Sequence, residues 1–405
     1  MNFEIIIRNL EAKTEYHFFK KPFMQTPYFL IDSEKIEKNL KVLRGVMDRT
    51  GCKILLAQKC FSCYALYPLV GKYLTGATAS GIFEAQLCHE EMVGRENHIF
   101  SPAFRKQDID AILSICDHIV FNTPSQLLCY GARAKKAGLQ VGIRVNPECS
   151  TQEGHAIYDP CSPGSRLGTK ESHLREYLHV CKEKGTSPCL DGIHFHTLCE
   201  QNSDDLETTL NAIEEKFGDI LHEMKWINFG GGHHITRSDY NLDLLERCIK
   251  RMQERYSLAV YLEPGEAVAL NAGTLHSTVL EVQPKGDDGV SNIILDTSAA
   301  CHMPDVIEMP YTPPVLYPAL VEEGENGYRY RFGGPTCLSG DVIGEYTFKE
   351  KLSEGDEVVF GDMAIYSMVK TNTFNGMPLP DIYISKEGVS SLWKHFSYSD
   401  FKARV

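Results

Sequence analysis

The run Ile54-Leu55-Leu56-Ala57-Gln58-Lys59-Cys60-Phe61 sets an unbroken apolar segment directly before a lysine and an aromatic. A segment that is apolar on both faces reads as a strand of a parallel sheet covered by helices. A lysine at its carboxyl end stands where barrel and doubly wound enzymes keep their chemistry. Partial desolvation there lowers the amine pKa and makes it a nucleophile or Schiff-base former. A single lysine can equally snorkel from a strand end into water. The reading therefore depends on its surroundings.

Outward from this stretch the chain repeats strand and helix. Strand-like runs end near Lys59, Ser80, Ser101, Asn122, Asn146, His196, Gly230 and Glu263. Amphipathic stretches at 83–93, 106–116, 124–137, 171–184, 203–224 and 241–255 lie between them. Eight such units make the α/β arithmetic of a (β/α)8 TIM barrel, assigned here to residues 28–270. Upstream, Tyr28-Phe29-Leu30-Ile31 is strand-like, and Asp32-Ser33 offers helix caps. Ile36, Leu40, Leu43 and Met47 share a helical face that Gly51 ends. Residues 28–50 thus read as a lead-in covering the barrel.

After about residue 270 the period changes. Short alternating strands are expected at 278–282, 292–295, 328–332 and 357–360, separated by glycine, proline and acidic clusters. Residues 1–27 and 271–405 are therefore assigned to an all-β barrel or sandwich domain.

A net charge of −13 argues against nucleic acid or an anionic membrane as partner. Fourteen cysteines are scattered along the chain, no apolar run reaches membrane length, and no secretory leader is expected. Reduced thiols and a cytoplasmic location are expected.

The candidate chemical groups fall at carboxyl ends of barrel strands. Lys59 follows the first, His196 the sixth, Gly230-Gly231-Gly232 the seventh and Glu263-Pro264-Gly265 the eighth. Singly, three glycines make a tight turn, and a histidine is most often a satisfied core residue. Together, a lysine, a ring that can stack, a glycine loop and a carboxylate describe a pocket for pyridoxal 5'-phosphate. The lysine bonds the cofactor, backbone N–H groups hold its phosphate, and the carboxylate keeps its ring nitrogen protonated. Other readings stay open. His194-x-His196 points to one face of a strand and could serve a metal-dependent barrel hydrolase, although no metal is assigned here. A racemase and a non-catalytic carrier of the same cofactor share the pattern.

The ordered set Ala57-Gln58-Lys59, Ala79-Ser80-Gly81-Ile82-Phe83-Glu84, His194-Phe195-His196, Phe229-Gly230-Gly231-Gly232, Glu263-Pro264-Gly265, Gly334-Pro335-Thr336-Cys337 and Asp362-Met363-Ala364-Ile365-Tyr366 resembles the alanine-racemase-like, fold-type III decarboxylases. The segments 194–200, 232–236, 263–267 and 302–305 look most like the carboxynorspermidine/carboxyspermidine decarboxylase branch, enzymes of polyamine biosynthesis that act on a small-molecule polyamine precursor. The resemblance implies a homodimer with active sites at the interface. It implies that Lys59 holds the cofactor covalently, His196 stacks on its ring and Glu263 binds its nitrogen. Gly230, Gly231, Gly232, Gly265 and Tyr366 would line the phosphate, and Cys337 of a second copy would return a proton. A polycationic substrate tail calls for distal carboxylates. Asp341, Asp305 and Glu308 are the candidates, Glu200 a weaker one, and Arg144 is a candidate for the substrate carboxylate or for Glu263.

One position departs from related families. Ornithine and diaminopimelate decarboxylases, which are the alternative activities, carry arginine after Glu-Pro-Gly, where it engages the phosphate. This chain has Glu266, expected to point elsewhere or to carry a proton. His233 or His234 is a candidate to replace the arginine.

Overall fold

A computed structural model describes residues 24–152 and 159–405. Eight parallel strands close a barrel: β2 (Lys53–Ala57), β3 (Gly76–Ala79), β4 (Glu96–Phe100), β5 (His118–Phe121), β6 (Gln140–Arg144), β7 (Gly192–His194), β8 (Trp226–Asn228) and β9 (Ala259–Leu262). Closure is through Lys53↔Tyr261 and Ile54↔Leu262 between β2 and β9. The strands are short and mostly buried, and their ends set the site. Lys59 and His196 lie just past β2 and β7, Gly230 just past β8, and Glu263 directly past β9.

Helices wrap the barrel close to the amphipathic stretches, at Ile82–Glu91, Ile109–Ile115, Pro124–Lys136, Glu171–Glu183, Ser203–Leu221 and Leu242–Tyr256. A further helix, Tyr67–Tyr73, follows β2. The helix Ser33–Thr50 begins where Asp32 accepts the Glu34 and Lys35 amides at 2.9 and 3.0 Å. It ends at Gly51, whose φ of 71° suits a glycine cap. Its apolar face, Ile36, Leu40, Leu43 and Val46, is fully buried.

Inside the barrel's amino-terminal end, Trp226 fills the space that two strand glycines leave. A Cβ on Gly192 would stand 2.1 Å from the indole, and one on Gly142 2.3 Å. Beside it, Glu96 accepts from Lys53 at 2.5 Å and pairs with His98 at 2.9 Å, while the His98 and His118 rings stack at 3.8 Å.

Among the described residues the second domain is a nine-stranded sheet. Its strands are β1 (Tyr28–Asp32), β10 (Gly273–Lys285), β11 (Ser291–Leu295), β12 (Val315–Tyr317), β13 (Tyr328–Gly333), β14 (Val342–Phe348), β15 (Glu357–Phe360), β16 (Asp381–Lys386) and β17 (Val389–Lys394). The main order is β14-β13-β11-β10-β1-β16-β17, with β15 joining β10 to β12. The four strands expected between 278 and 360 are present.

The placement of residues 28–32 in the barrel unit is corrected. β1 lies between β10 and β16, with Tyr28 opposite both His276 and Asp381. Only the helix after it covers the barrel. Of the 1–27 segment assigned to this domain, residues 1–23 lie outside the described residues. Among the described residues, no helix is long and apolar enough to cross a membrane.

Candidate active site

The strand ends converge on Lys59. Its side chain opens into a cavity yet is walled by protein from bulk water, which reconciles its exposed surface with its strong desolvation. Burial, then the Arg144 charge, lower its pKa, while Glu263 opposes them. Lys59 shares a small inner chamber with His196, Gly231, Gly232, Glu263, Gly265 and Tyr366. These are seven of the nine residues expected to act in cofactor binding or catalysis. Gly230 adjoins them, and Cys337 lies elsewhere.

Glu263 is buried and doubly held. Asn228 Nδ2 donates to Oε1 at 2.8 Å, and His194 Nε2 lies 3.1 Å from Oε2. Burial alone would raise its pKa, but the His194 and Asn228 interactions outweigh it and keep the carboxylate ionised. His194 itself is pushed down by burial, and its Nδ1 lacks a partner. It therefore acts as a neutral donor through Nε2. Asn228 Oδ1 also accepts the Gly230 amide at 2.9 Å, so one side chain ties the carboxylate to the glycine loop. The next amide, Gly231, donates to His196 Nδ1 at 2.7 Å. That bond fixes the imidazole, which burial and the Lys59 and Arg144 charges keep neutral.

These bonds answer the metal-hydrolase reading. His194 is committed to Glu263 and His196 to Gly231, so the pair does not converge on a shared ion. Among the described residues the clusters with metal-ligand spacing do not include this pair: they are Glu96, His98 and His118, and Glu200, His234 and Glu266 beside the larger cavity.

The glycine loop cannot carry side chains. Gly230 and Gly232 have φ of 71° and 83°, and a Cβ on Gly232 would sit 2.0 Å from the Leu198 carbonyl oxygen. Gly265 packs against Cys60, whose carbonyl accepts the Tyr366 amide at 3.0 Å. A desolvated amine, a buried ionised carboxylate, a fixed neutral imidazole and a side-chain-free loop together fit pyridoxal 5'-phosphate.

A larger cavity of about 900 Å³ opens over Lys59, and its wall includes Glu200, Asp205, Glu266, Asp305 and Asp362. Glu200, Asp305 and Asp362 have raised pKa values, chiefly from burial, with the Glu266 charge adding to each.

The expected tail-binding residues divide. Asp305 lines this cavity and shares Lys370 with Glu308. Asp341 does not line it. It is 4% exposed and accepts from Ser298 Oγ, Thr336 Oγ and the Ala300 amide, bracing the turn that carries Cys337. Its carboxylate is occupied structurally, which corrects its assignment to substrate within this chain. Arg144 is buried behind the chamber, stacked 4.8 Å from the Phe100 ring and donating to the His196 carbonyl at 3.0 Å. There it organises the strand ends rather than facing the larger cavity. Cys337 is exposed, outside that cavity, with its amide on Asn375 Oδ1 at 2.8 Å.

Glu266 does not point away. It is 9% exposed, lines both chambers, and meets His234 Nε2 at 2.7 Å. His233 is a core residue with Nε2 toward the Phe229 carbonyl. Sequence reasoning missed Asn228, Asp205, Asp362 and the His234–Glu266 contact. For the last, the available signal was that each partner closely follows a glycine element.

Comparison with known proteins agrees with this geometry. Residues 29–364 match the family described as "Pyridoxal-dependent decarboxylase, C-terminal sheet domain". The chain is 38% identical to a carboxynorspermidine/carboxyspermidine decarboxylase of Campylobacter jejuni, over 96% of this chain and 100% of that one. It is 36% identical to a carboxyaminopropylagmatine decarboxylase of Synechocystis, over 94% and 96%. The crystal structure of carboxynorspermidine decarboxylase from C. jejuni complexed with norspermidine superposes with a TM-score of 0.83 at 37% identity, covering 94% of this chain and all of that one. The barrel, the sheet and the lysine-centred chamber are those of one family: this chain is a member of the pyridoxal-dependent decarboxylases.

Proposed function

We propose that the chain removes carbon dioxide from carboxynorspermidine or carboxyspermidine, giving norspermidine or spermidine, as a homodimer in the cytoplasm. The observation that carries the substrate class is the acid-walled cavity directly above Lys59. Such a substrate is an amino acid whose tail bears an internal and a terminal ammonium group. Carboxylates displaced from the reacting carbon suit that tail and no neutral one. Fourteen free cysteines support a reducing compartment.

Bound in the inner chamber, pyridoxal 5'-phosphate supplies an electron sink for the pair left when carbon dioxide departs. The chain's residues do the rest. The lowered pKa of Lys59 would leave its amine unprotonated and able to hold the cofactor. Glu263, ionised and fixed by Asn228 and His194, would accept a hydrogen bond from the cofactor's protonated ring nitrogen. His196 supplies a flat neutral surface that does not compete for that proton. Glu263 and His196 line the small inner chamber, where burial disfavours the protonated imidazole. The proton that replaces carbon dioxide comes from Lys59 or from Cys337 of a second copy.

One finding favours a second substrate, since the 36% identical Synechocystis relative is named for a tail ending in agmatine. The test is a panel of carboxynorspermidine, carboxyspermidine, carboxyaminopropylagmatine, ornithine, lysine, arginine and diaminopimelate, scored for carbon dioxide and product amine. Turnover concentrated on the first two is expected. Preference for ornithine or diaminopimelate, or inversion without carbon dioxide release, would overturn the proposal.

A further inference from the structure

The inner chamber holds a charge problem. Its glycine loop and Gly265 are the expected seat of the cofactor's phosphate, yet Glu266 follows Gly265 and lines the same chamber. The charged groups that face Glu266 are mostly acids: Glu200, Asp305 and Asp362. Among the described residues the nearby cations are spoken for. Lys59 is consumed in bonding the cofactor, Lys370 is held by Asp305 and Glu308, and Arg237 is held by Asp239 and the Glu200 carbonyl. Cys60, Cys199 and Tyr366 also face it, and burial keeps all three protonated. A phosphate dianion entering here is repelled unless the chamber gains positive charge.

Among the described residues, one group is placed to supply it. His234, two residues past Gly232, places Nε2 2.7 Å from Glu266 Oε2, and the contact joins the two glycine elements across the cradle. Both side chains are about nine-tenths buried, at 7% and 11% exposure. The imidazole's other nitrogen, Nδ1, is buried without a hydrogen-bond partner. An unsatisfied ring nitrogen beside a carboxylate is a vacant proton position in the one place where a proton removes the repulsion. We propose that His234 and Glu266 act as a proton-carrying pair that takes up a proton as the phosphate enters, so that the cradle meets a neutralised carboxylate instead of a bare anion. Both residues are positioning residues, and the inference rests only on the cofactor part of the proposed function, not on the substrate.

The experiment compares pyridoxal 5'-phosphate with pyridoxal, which lacks the phosphate, on full-length apoprotein. Affinity is read from cofactor absorbance, and proton uptake from calorimetry in buffers of differing ionisation enthalpy. Wild type should take up about one proton more with the phosphorylated ligand than with pyridoxal. His234→Gln leaves Glu266 uncompensated and should weaken pyridoxal 5'-phosphate about 10- to 100-fold while changing pyridoxal little. Adding Glu266→Gln to that variant should restore most of the loss, because the repelling charge is gone. Glu266→Gln alone should abolish the extra proton uptake, which decides the matter even if His234→Gln does not fold. Equal losses for both ligands, no recovery in the double variant, or unchanged proton uptake in Glu266→Gln would overturn the proposal. No carboxy-polyamine is used, so the substrate assignment can fail or stand separately.

Discussion

At the scale of residues, the site is one nucleophile and a set of partners that fix its neighbours' protonation. Lys59→Ala should abolish both the cofactor's covalent attachment and turnover. Borohydride trapping followed by peptide mass analysis checks this, and near-normal turnover in the variant would exclude Lys59. The cavity acids carry a pH prediction. Glu200, Asp305 and Asp362 have raised pKa values in the free protein, whereas a polycation binds their ionised forms. Affinity for norspermidine should therefore increase as pH rises through the range above the ordinary carboxylate values of about 4. The same titration on Glu200→Gln should show a shallower rise. Affinity independent of pH would remove these acids from the tail site. Residues of this kind were unevenly legible in the sequence. Lys59, His196 and Glu263 could be read because each ends an apolar strand. Asn228 could not, since a lone polar residue has no period and it acts through a partner over thirty positions away; His234 was a candidate, but its contact with Glu266 left no more trace.

At the scale of elements, the barrel separates chemistry at one end from support at the other. The chamber is built from segments past the carboxyl ends of β2, β7, β8 and β9, while Glu96 near the opposite end ties β4 to β2 through Lys53. Burial raises the Glu96 pKa, but hydrogen bonds from His98 and Lys53 more than reverse this and bring it to about 2. A depressed carboxylate contributes stability that is fully present above its unfolded pKa and is lost as pH falls through the folded one. Glu96→Gln should thus cost roughly 1–3 kcal/mol near neutral pH, the range for losing hydrogen bonds to a charged group. The deficit should shrink between about pH 4.5 and about pH 2. Denaturant unfolding at a series of pH values measures it, and a pH-independent difference would count against the linkage. The barrel was legible because its apolar strands recur with amphipathic helices between them. Strand β1 was misplaced because its neighbours β10 and β16 lie some 245 and 350 residues away, and such pairing leaves no local trace.

At the scale of the whole molecule, the proposed proton donor and the chamber lie apart within one copy. Cys337 stands exposed on a turn braced by Asp341, outside the cavity of its own chain. Exposed apolar side chains accompany it, with Leu338 at 42%, Val342 at 41% and Phe374 at 47%. Apolar surface gathered around a fixed cysteine suits burial against a second copy. In a two-fold dimer each copy would complete the other's site, which gives a quantitative prediction. Lys59→Ala and Cys337→Ala proteins, each nearly inactive, are mixed in equal amounts and allowed to exchange. Random pairing makes half the dimers mixed, and each mixed dimer holds one intact site, so about one quarter of wild-type activity should return. If each copy carried its own complete site, no pairing would restore any. Full activity in the Cys337→Ala protein before mixing would show instead that Lys59 alone returns the proton, and the interface would then serve stability rather than chemistry.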